Sequence, residues 1–281
     1  MIASSWGREW IATPVVALVM VTGAIADGHA STSALSTSRT APGPSGAVEP
    51  IRLPGPAAVG QTARTETAIQ TTIDGGPVSL LLATSSAITA VNGDGSYVAR
   101  SVIDSVAVTN APASADISTW GFGRLEGVAF DQAYASTGTP LAGGSRSIDA
   151  QSLVLDSVAM ASVGFPAQPV GVGDSWTVAG QIGSEGVSFT VTYQCRLVTV
   201  VGDTYTVDVA YAETFRAEID GGVAEGTIAG TGTLSGLLDN PLAVWGHLNQ
   251  TIDGVTMIDG TATPMRRDTS VALNTTEGWI G

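Results

Sequence analysis

From Val187 to Leu197 the chain alternates without a break. Val187, Phe189, Val191, Tyr193, Cys195 and Leu197 are separated by Ser188, Thr190, Thr192, Gln194 and Arg196. A period of two puts one set against a core and the other in water, so this stretch predicts a half-buried strand. Gly202-Asp203 supplies a turn, and Tyr205, Val207, Val209 and Tyr211 continue the pattern on the returning strand. Further strands are expected over 226–236, 242–252, 255–258 and 269–275, with Asp239-Asn240-Pro241 and Asp253-Gly254 as turns. The N-terminal half is less regular. A loose alternation over 65–73 meets Asp74-Gly75-Gly76, and an apolar run over 78–91 meets Asn92-Gly93-Asp94-Gly95. Two more strands are expected over 96–109 and 121–135.

Ile148 to Val163 departs from this rule. Ala150, Leu153, Leu155, Val158 and Ala159 approximate helical spacing, with Asp149 near the start and Gly164 and Pro166 as the stop. This predicts one helix, with a buried strand as the rival reading. Next comes Gly164-Phe165-Pro166-Ala167-Gln168-Pro169-Val170-Gly171-Val172-Gly173-Asp174-Ser175-Trp176. Pro166 and Pro169 remove backbone donors and fix φ, so neither a helix nor a central strand passes through them. Phe165 and Trp176 carry large apolar surface, which makes the stretch a packed crossover rather than a solvated linker.

Three stretches recur in order. Val59-Gly60-Gln61-Thr62 matches Val172-Gly173-Asp174-Ser175, and Gly95-Ser96-Tyr97 matches Asp203-Thr204-Tyr205. Gly121-Phe122-Gly123-Arg124-Leu125-Glu126-Gly127 matches Gly230-Thr231-Gly232-Thr233-Leu234-Ser235-Gly236. Similar spacing in all three predicts an internal duplication. The expected fold is mainly β: two related antiparallel halves forming a clam, open barrel or sandwich, with one helix before the central junction.

Composition narrows the setting. The 281 residues are 44% hydrophobic and 13% charged, enough to bury a sizeable core, and the formal charge is −14 without a single lysine. Such a surface argues against nucleic acid and anionic membranes as electrostatic partners. The lone cysteine, Cys195, excludes an intramolecular disulfide and a cysteine-based zinc site. Arg8 followed by the apolar run from Trp10 to Ala26 reads as an export signal with small residues Ala24, Ala26, Gly28 and Ala30 beyond it. An uncleaved anchor is the alternative. The expected organisation is an export signal at 1–30, a disordered spacer rich in Ser, Thr, Pro, Gly and Ala at 31–56, a first β half with the helix at 57–169, and a second β half at 170–281.

The chemistry-bearing motifs are weak. The two glycine runs lack the G-x-G-x-x-G spacing and the strand-to-helix context of a nucleotide loop. Asn92-Gly93-Asp94-Gly95 has no closing acidic ligand for calcium. Of the two histidines, His29 falls in the export segment, and His247 has no nucleophile motif to serve. No catalytic, cofactor-binding or metal-ligating residue is assigned, and no cofactor is expected. Trp120, Phe122, Phe130, Trp176, Phe189, Tyr193, Trp245 and Trp279 are candidates to line a space between the halves, or to fill the core.

The junction and the glycine run after it resemble a family of uncharacterised exported proteins and lipoproteins of high-GC Gram-positive bacteria. That family carries an F/L-P-x-x-P-V-G-x-G-x-x-W junction, here Phe165 to Trp176, between a helix and a second β half. The resemblance implies an extracytoplasmic bacterial location and this fold, with no catalytic residues to transfer. This chain lacks the family's lipobox cysteine. The expected function is a non-enzymatic secreted or cell-envelope protein with an apolar or lipid-like ligand between its β halves. The alternative is a structural or protein-interaction module of the cell surface. Membrane contact is expected only if the N-terminal segment stays uncleaved.

Overall fold

A computed structural model describes residues 36–39, 50–73, 76–113, 125–139, 141, 164–184, 187–219 and 222–276. The expected export signal at 1–30 and helix at 148–163 lie outside the described residues. Long strands dominate: β2 (Thr62–Ile73), β3 (Gly76–Val91), β4 (Tyr97–Asn110), β6 (Ser175–Ser184), β7 (Val187–Val201), β8 (Thr204–Ile219), β9 (Gly222–Leu237), β10 (Val244–Ile258) and β11 (Thr261–Thr276). Two shorter strands, β1 (Ser36–Arg39) and β5 (Ala129–Tyr134), flank them. All pair antiparallel in one sheet, in the order β1-β6-β7-β8-β9-β10-β11-β2-β3-β4-β5.

That order places β5 and β6 at far ends, although they are consecutive in the chain. In a flat sheet nine strand spacings would hold them roughly 40 Å apart. The contacts run otherwise. Phe165 N–H donates to the Thr137 carbonyl just past β5 at 2.9 Å, and the Trp176 indole on β6 donates to the Gly164 carbonyl at 2.9 Å. The Phe165 ring packs on Trp176 and edge-on against Tyr205 of β8, with centroids 5.6 and 5.5 Å apart. The sheet is therefore curled, and one contiguous core collects side chains from β2, β3, β4, β6, β7, β8, β9, β10 and β11. The expected crossover, Gly164 to Trp176, is thus a plug in that core. Phe165, Val170 and Trp176 are buried, and Val170 forms a bridge with Ile51.

The alternation that predicts the strands also assigns the two faces. Ile69, Leu80, Leu82, Val207, Val209, Leu248, Val271 and Leu273 point inward and are buried; Glu66, Gln70, Asp208, His247, Asn249 and Asn274 point out. Outward charges meet across strands at Arg100–Asp131, Arg216–Glu225 and Arg266–Asp253, each a register pair.

Several expectations need correction. The 31–56 segment is not wholly a spacer: β1 adds to the edge of β6, and Leu53 is 2% exposed in the core. Composition hides this, because an unpaired strand edge and a core opening supply the partners that the segment itself lacks. Asp253-Gly254 is no turn. β10 runs through it as one strand, with Gly254 close to the Glu225 carbonyl and Gly226 Cα of β9, and the chain reverses at Asp259-Gly260 instead. β6 escaped the pattern because Gly180 breaks the Trp176, Val178, Ile182 series after two apolar positions. The strand expected over 121–135 is described only as β5, after a turn at 125–127.

The first of the three recurring stretches has the same geometry in both copies. Gly60 and Gly173 have φ of 90° and 92°, values that favour glycine. Their N–H groups donate to Ile88 and Leu197 carbonyls, while Ile88 and Leu197 donate back to Gln61 and Asp174. Side chains repeat it too: Ala58 N–H donates to Gln61 Oε1 at 2.7 Å, and Gly171 N–H to Asp174 Oδ2 at 2.8 Å. Both following hairpins bulge at the same place, with Ile88↔Ala99 then Ala90↔Val98 in one, and Leu197↔Val207 then Thr199↔Thr206 in the other. The third match does not follow, since Leu125–Gly127 form a turn and Leu234–Gly236 lie within β9.

Candidate functional site

The core-facing alternation of β8 reads Tyr205, Val207, Val209, Tyr211, Glu213, Phe215, so a carboxyl falls in an apolar register. Glu213 is 2% exposed. Its neighbours come from the sheet register. Tyr193 of β7 lies opposite Tyr211, Tyr211 opposite Gly230 of β9, Gly230 opposite Gln250 of β10, and Gln250 opposite Thr269 of β11. This inward row is polar in a core that is mostly apolar. Val209, Cys195, Leu248 and Val271 flank it on one side, and Ile228, Ile252, Phe215 and Ala224 on the other.

Gly230 makes the row possible. A Cβ there would stand 2.5 Å from Tyr211 Cζ, so the bare backbone lets the ring lie across β9. The Tyr211 hydroxyl then donates to Gln250 Oε1 on the strand beyond. Tyr193 donates to Glu213 Oε1 at 3.1 Å, its ring 5.8 Å from that of Tyr211. Thr269 and Thr71 share a hydroxyl–hydroxyl bond of 3.0 Å. Two atoms are left over: among the described residues Glu213 Oε2 and Gln250 Nε2 are buried without a hydrogen-bond partner. A buried polar atom without a partner costs about 1–3 kcal/mol, so each needs a reason. Thr67 Oγ1 and Thr84 Oγ1 are likewise unpartnered, on β2 and β3.

Burial pushes the Glu213 carboxyl up to about 8, against the smaller downward pull of the Tyr193 hydroxyl. At neutral pH it is mostly protonated and can donate a hydrogen bond as well as accept one. Burial, joined by the nearby Glu213 carboxyl, raises Tyr193 and Tyr211 above the ordinary phenol range, so both stay neutral donors. Cys195 is pushed up to about 12 by burial, which makes it an inert thiol in this wall.

The outward face of β6–β10 has a shallow trough of about 710 Å³. Two register rows line it: Ser175–Arg196–Asp208–Thr233–His247 and Thr177–Gln194–Ala210–Thr231–Asn249. Thr233 donates to Asp208 Oδ1 at 3.2 Å. His247 is therefore an outward strand residue in a polar row.

Of the aromatics expected to line a cavity or core, Trp176 is in the core, and Phe130 and Tyr193 pack against it. Trp245 is half-buried on the outward side of β10 and Phe189 lies in β7. Trp120, Phe122 and Trp279 lie outside the described residues. Glu213, Tyr211 and Gln250 did not stand out in the sequence as a group. Extending the β8 alternation one step past Tyr211 reaches Glu213, and that misplaced carboxyl is the available signal. Compared with family models and with curated proteins, the sequence matches none of them.

Proposed function

We propose that the chain is a non-catalytic binding protein of the cell envelope or exterior, which holds an amphiphilic, lipid-like ligand on the inward face of an open, curled barrel. One observation carries this reading: a buried carboxyl oxygen and a buried amide nitrogen, without partners among the described residues, on a face walled mostly by apolar side chains. An amphiphile matches that lining, apolar over most of its length and polar at one point. The N-terminal apolar run supports export, and the twinned turns at Gly60 and Gly173 support two related halves. The polar outer trough with Arg196, Asp208 and His247 favours a second reading, an interaction module of the cell surface.

Native mass spectrometry of the purified full-length chain, before and after organic extraction, separates the two. A mass excess that extraction removes, with an acyl-containing species in the extract, is the expected result. An apo mass both as purified and after incubation with mixed oleic acid and phospholipid would overturn the ligand reading.

A further inference from the structure

We propose that the outward trough over β6–β10 binds an uncharged oligosaccharide. This goes beyond the interior ligand and gives the second reading above an occupant. Elsewhere on the outward face, arginines in register with carboxylates close on them, at Arg100–Asp131, Arg216–Glu225 and Arg266–Asp253. Arg196 of β7 and Asp208 of β8 are also a register pair, yet no ion pair joins them. Asp208 accepts from the Thr233 hydroxyl instead. Arg196, Gln194, His247 and Asn249 are exposed, and among the described residues none of these four side chains has a hydrogen-bond partner. Ala210, between Gln194 and Thr231, keeps the floor low. The fold thus leaves donors and acceptors open around a hollow of about 710 Å³.

The mixture selects the class. A sugar hydroxyl donates once and accepts twice, so one hydroxyl can donate to Asp208 while accepting from the Arg196 guanidinium or the Asn249 amide. One arginine against one aspartate leaves the trough formally uncharged, in a chain of −14 that repels polyanions. A peptide is the rival, but it binds a sheet by adding to an open strand edge or by filling apolar pockets. Here β7, β8, β9 and β10 each have a neighbour on both sides, and the two rows that line the trough are polar but for Ala210. The rows cross five strands, roughly 19 Å, and lie roughly 6.8 Å apart. That footprint fits several linked rings rather than one. Trp245 stands two residues before His247 on the same face of β10 and is half-buried, which leaves part of an indole for the apolar face of a sugar ring.

The test is affinity electrophoresis of the purified full-length chain through native gels holding dextran, mannan, arabinogalactan or xyloglucan. At least one of these uncharged polymers is expected to retard it. Arg196→Met then weakens that binding about tenfold, the loss of one charge-assisted hydrogen bond, while Arg216→Met, outside the trough, leaves it unchanged. A second measurement needs no variant. In the ¹⁵N-labelled wild type, the side-chain amide resonances of Gln194 and Asn249 shift with a hexasaccharide cut from the retarding polymer, and that of the buried Gln250 stays put. No retardation by any of the four polymers overturns the proposal. Retardation that Arg196→Met does not weaken, or unmoved Gln194 and Asn249 amides, overturns it as well. None of these results bears on the interior ligand, which the mass measurement decides.

Discussion

Glu213 shows how a single residue links stability to pH. Its carboxyl holds a proton to about pH 8 in the fold, whereas an ordinary glutamate releases it near 4.5. Between those values the native state binds more protons than the unfolded one, so stability falls as pH rises through the window. The whole effect is on the order of 3–5 kcal/mol, and it is greatest in the native state's favour below pH 4.5. Glu213→Gln, neutral at every pH and close in shape, lacks this dependence. Denaturant unfolding at pH 5 and pH 8 is expected to show the variant gaining on the wild type by a few kcal/mol at the higher pH. An equal difference at both values would mean that the carboxyl ionises freely where it sits. The two tyrosines do not titrate in that range, so the change belongs to Glu213.

Strands β8 and β9 fit together by pairing rings with glycines. Tyr205 lies opposite Gly236 and Tyr211 opposite Gly230, and each ring occupies the space where a Cβ would be, while Phe215 opposite Gly226 comes to 3.0 Å of it behind the β10 backbone. At Gly236 the nearest atoms to that Cβ are all from the Tyr205 side chain, with Cζ at 2.6 Å. At Gly232 the backbone carbonyl of His247 is in the way. Gly236→Ala is therefore expected to destabilise by about 1–3 kcal/mol through overpacking, and Tyr205→Leu to recover part of that loss in the double variant. Gly232→Ala should show no such rescue. Equilibrium unfolding of Gly236→Ala, Tyr205→Leu and their double variant against the wild type, with Gly232→Ala alone and combined with Tyr205→Leu as the control, measures the coupling. Much of this element level was legible beforehand: the alternation from Val187 to Leu197 and from Tyr205 to Tyr211 reads directly as β7 and β8. Asp253-Gly254 was not, because Asp-Gly signals a turn while the glycine there serves close approach to β9. β6 was not legible either, since Gly180 cuts its apolar series short. Glu213 and Gln250 matter through the register that brings them within hydrogen-bond reach of Tyr193 and Tyr211, and one chain read alone holds no cross-strand register.

On the scale of the molecule, β11 against β2 is the seam that makes one sheet of the two stretches of chain. Thr71 on β2 and Thr269 on β11 bond across it from 198 positions apart. With a shared core and a continuous ladder, the two stretches are expected to unfold together. Tryptophan fluorescence and far-ultraviolet circular dichroism should give coincident urea transitions; two separated transitions would show that each stretch stands alone. The same seam sets a timetable. Until β11 has been made, β2 has an open edge where its second neighbour belongs, so a growing chain cannot complete the sheet in the order in which it is synthesised. Pairings this distant form slowly because loop closure precedes any gain from contact. A nascent chain of this design can pair β2 to β4 and β6 to β10 as they emerge, yet the joint between the two groups must wait until β11, the last strand, has been made.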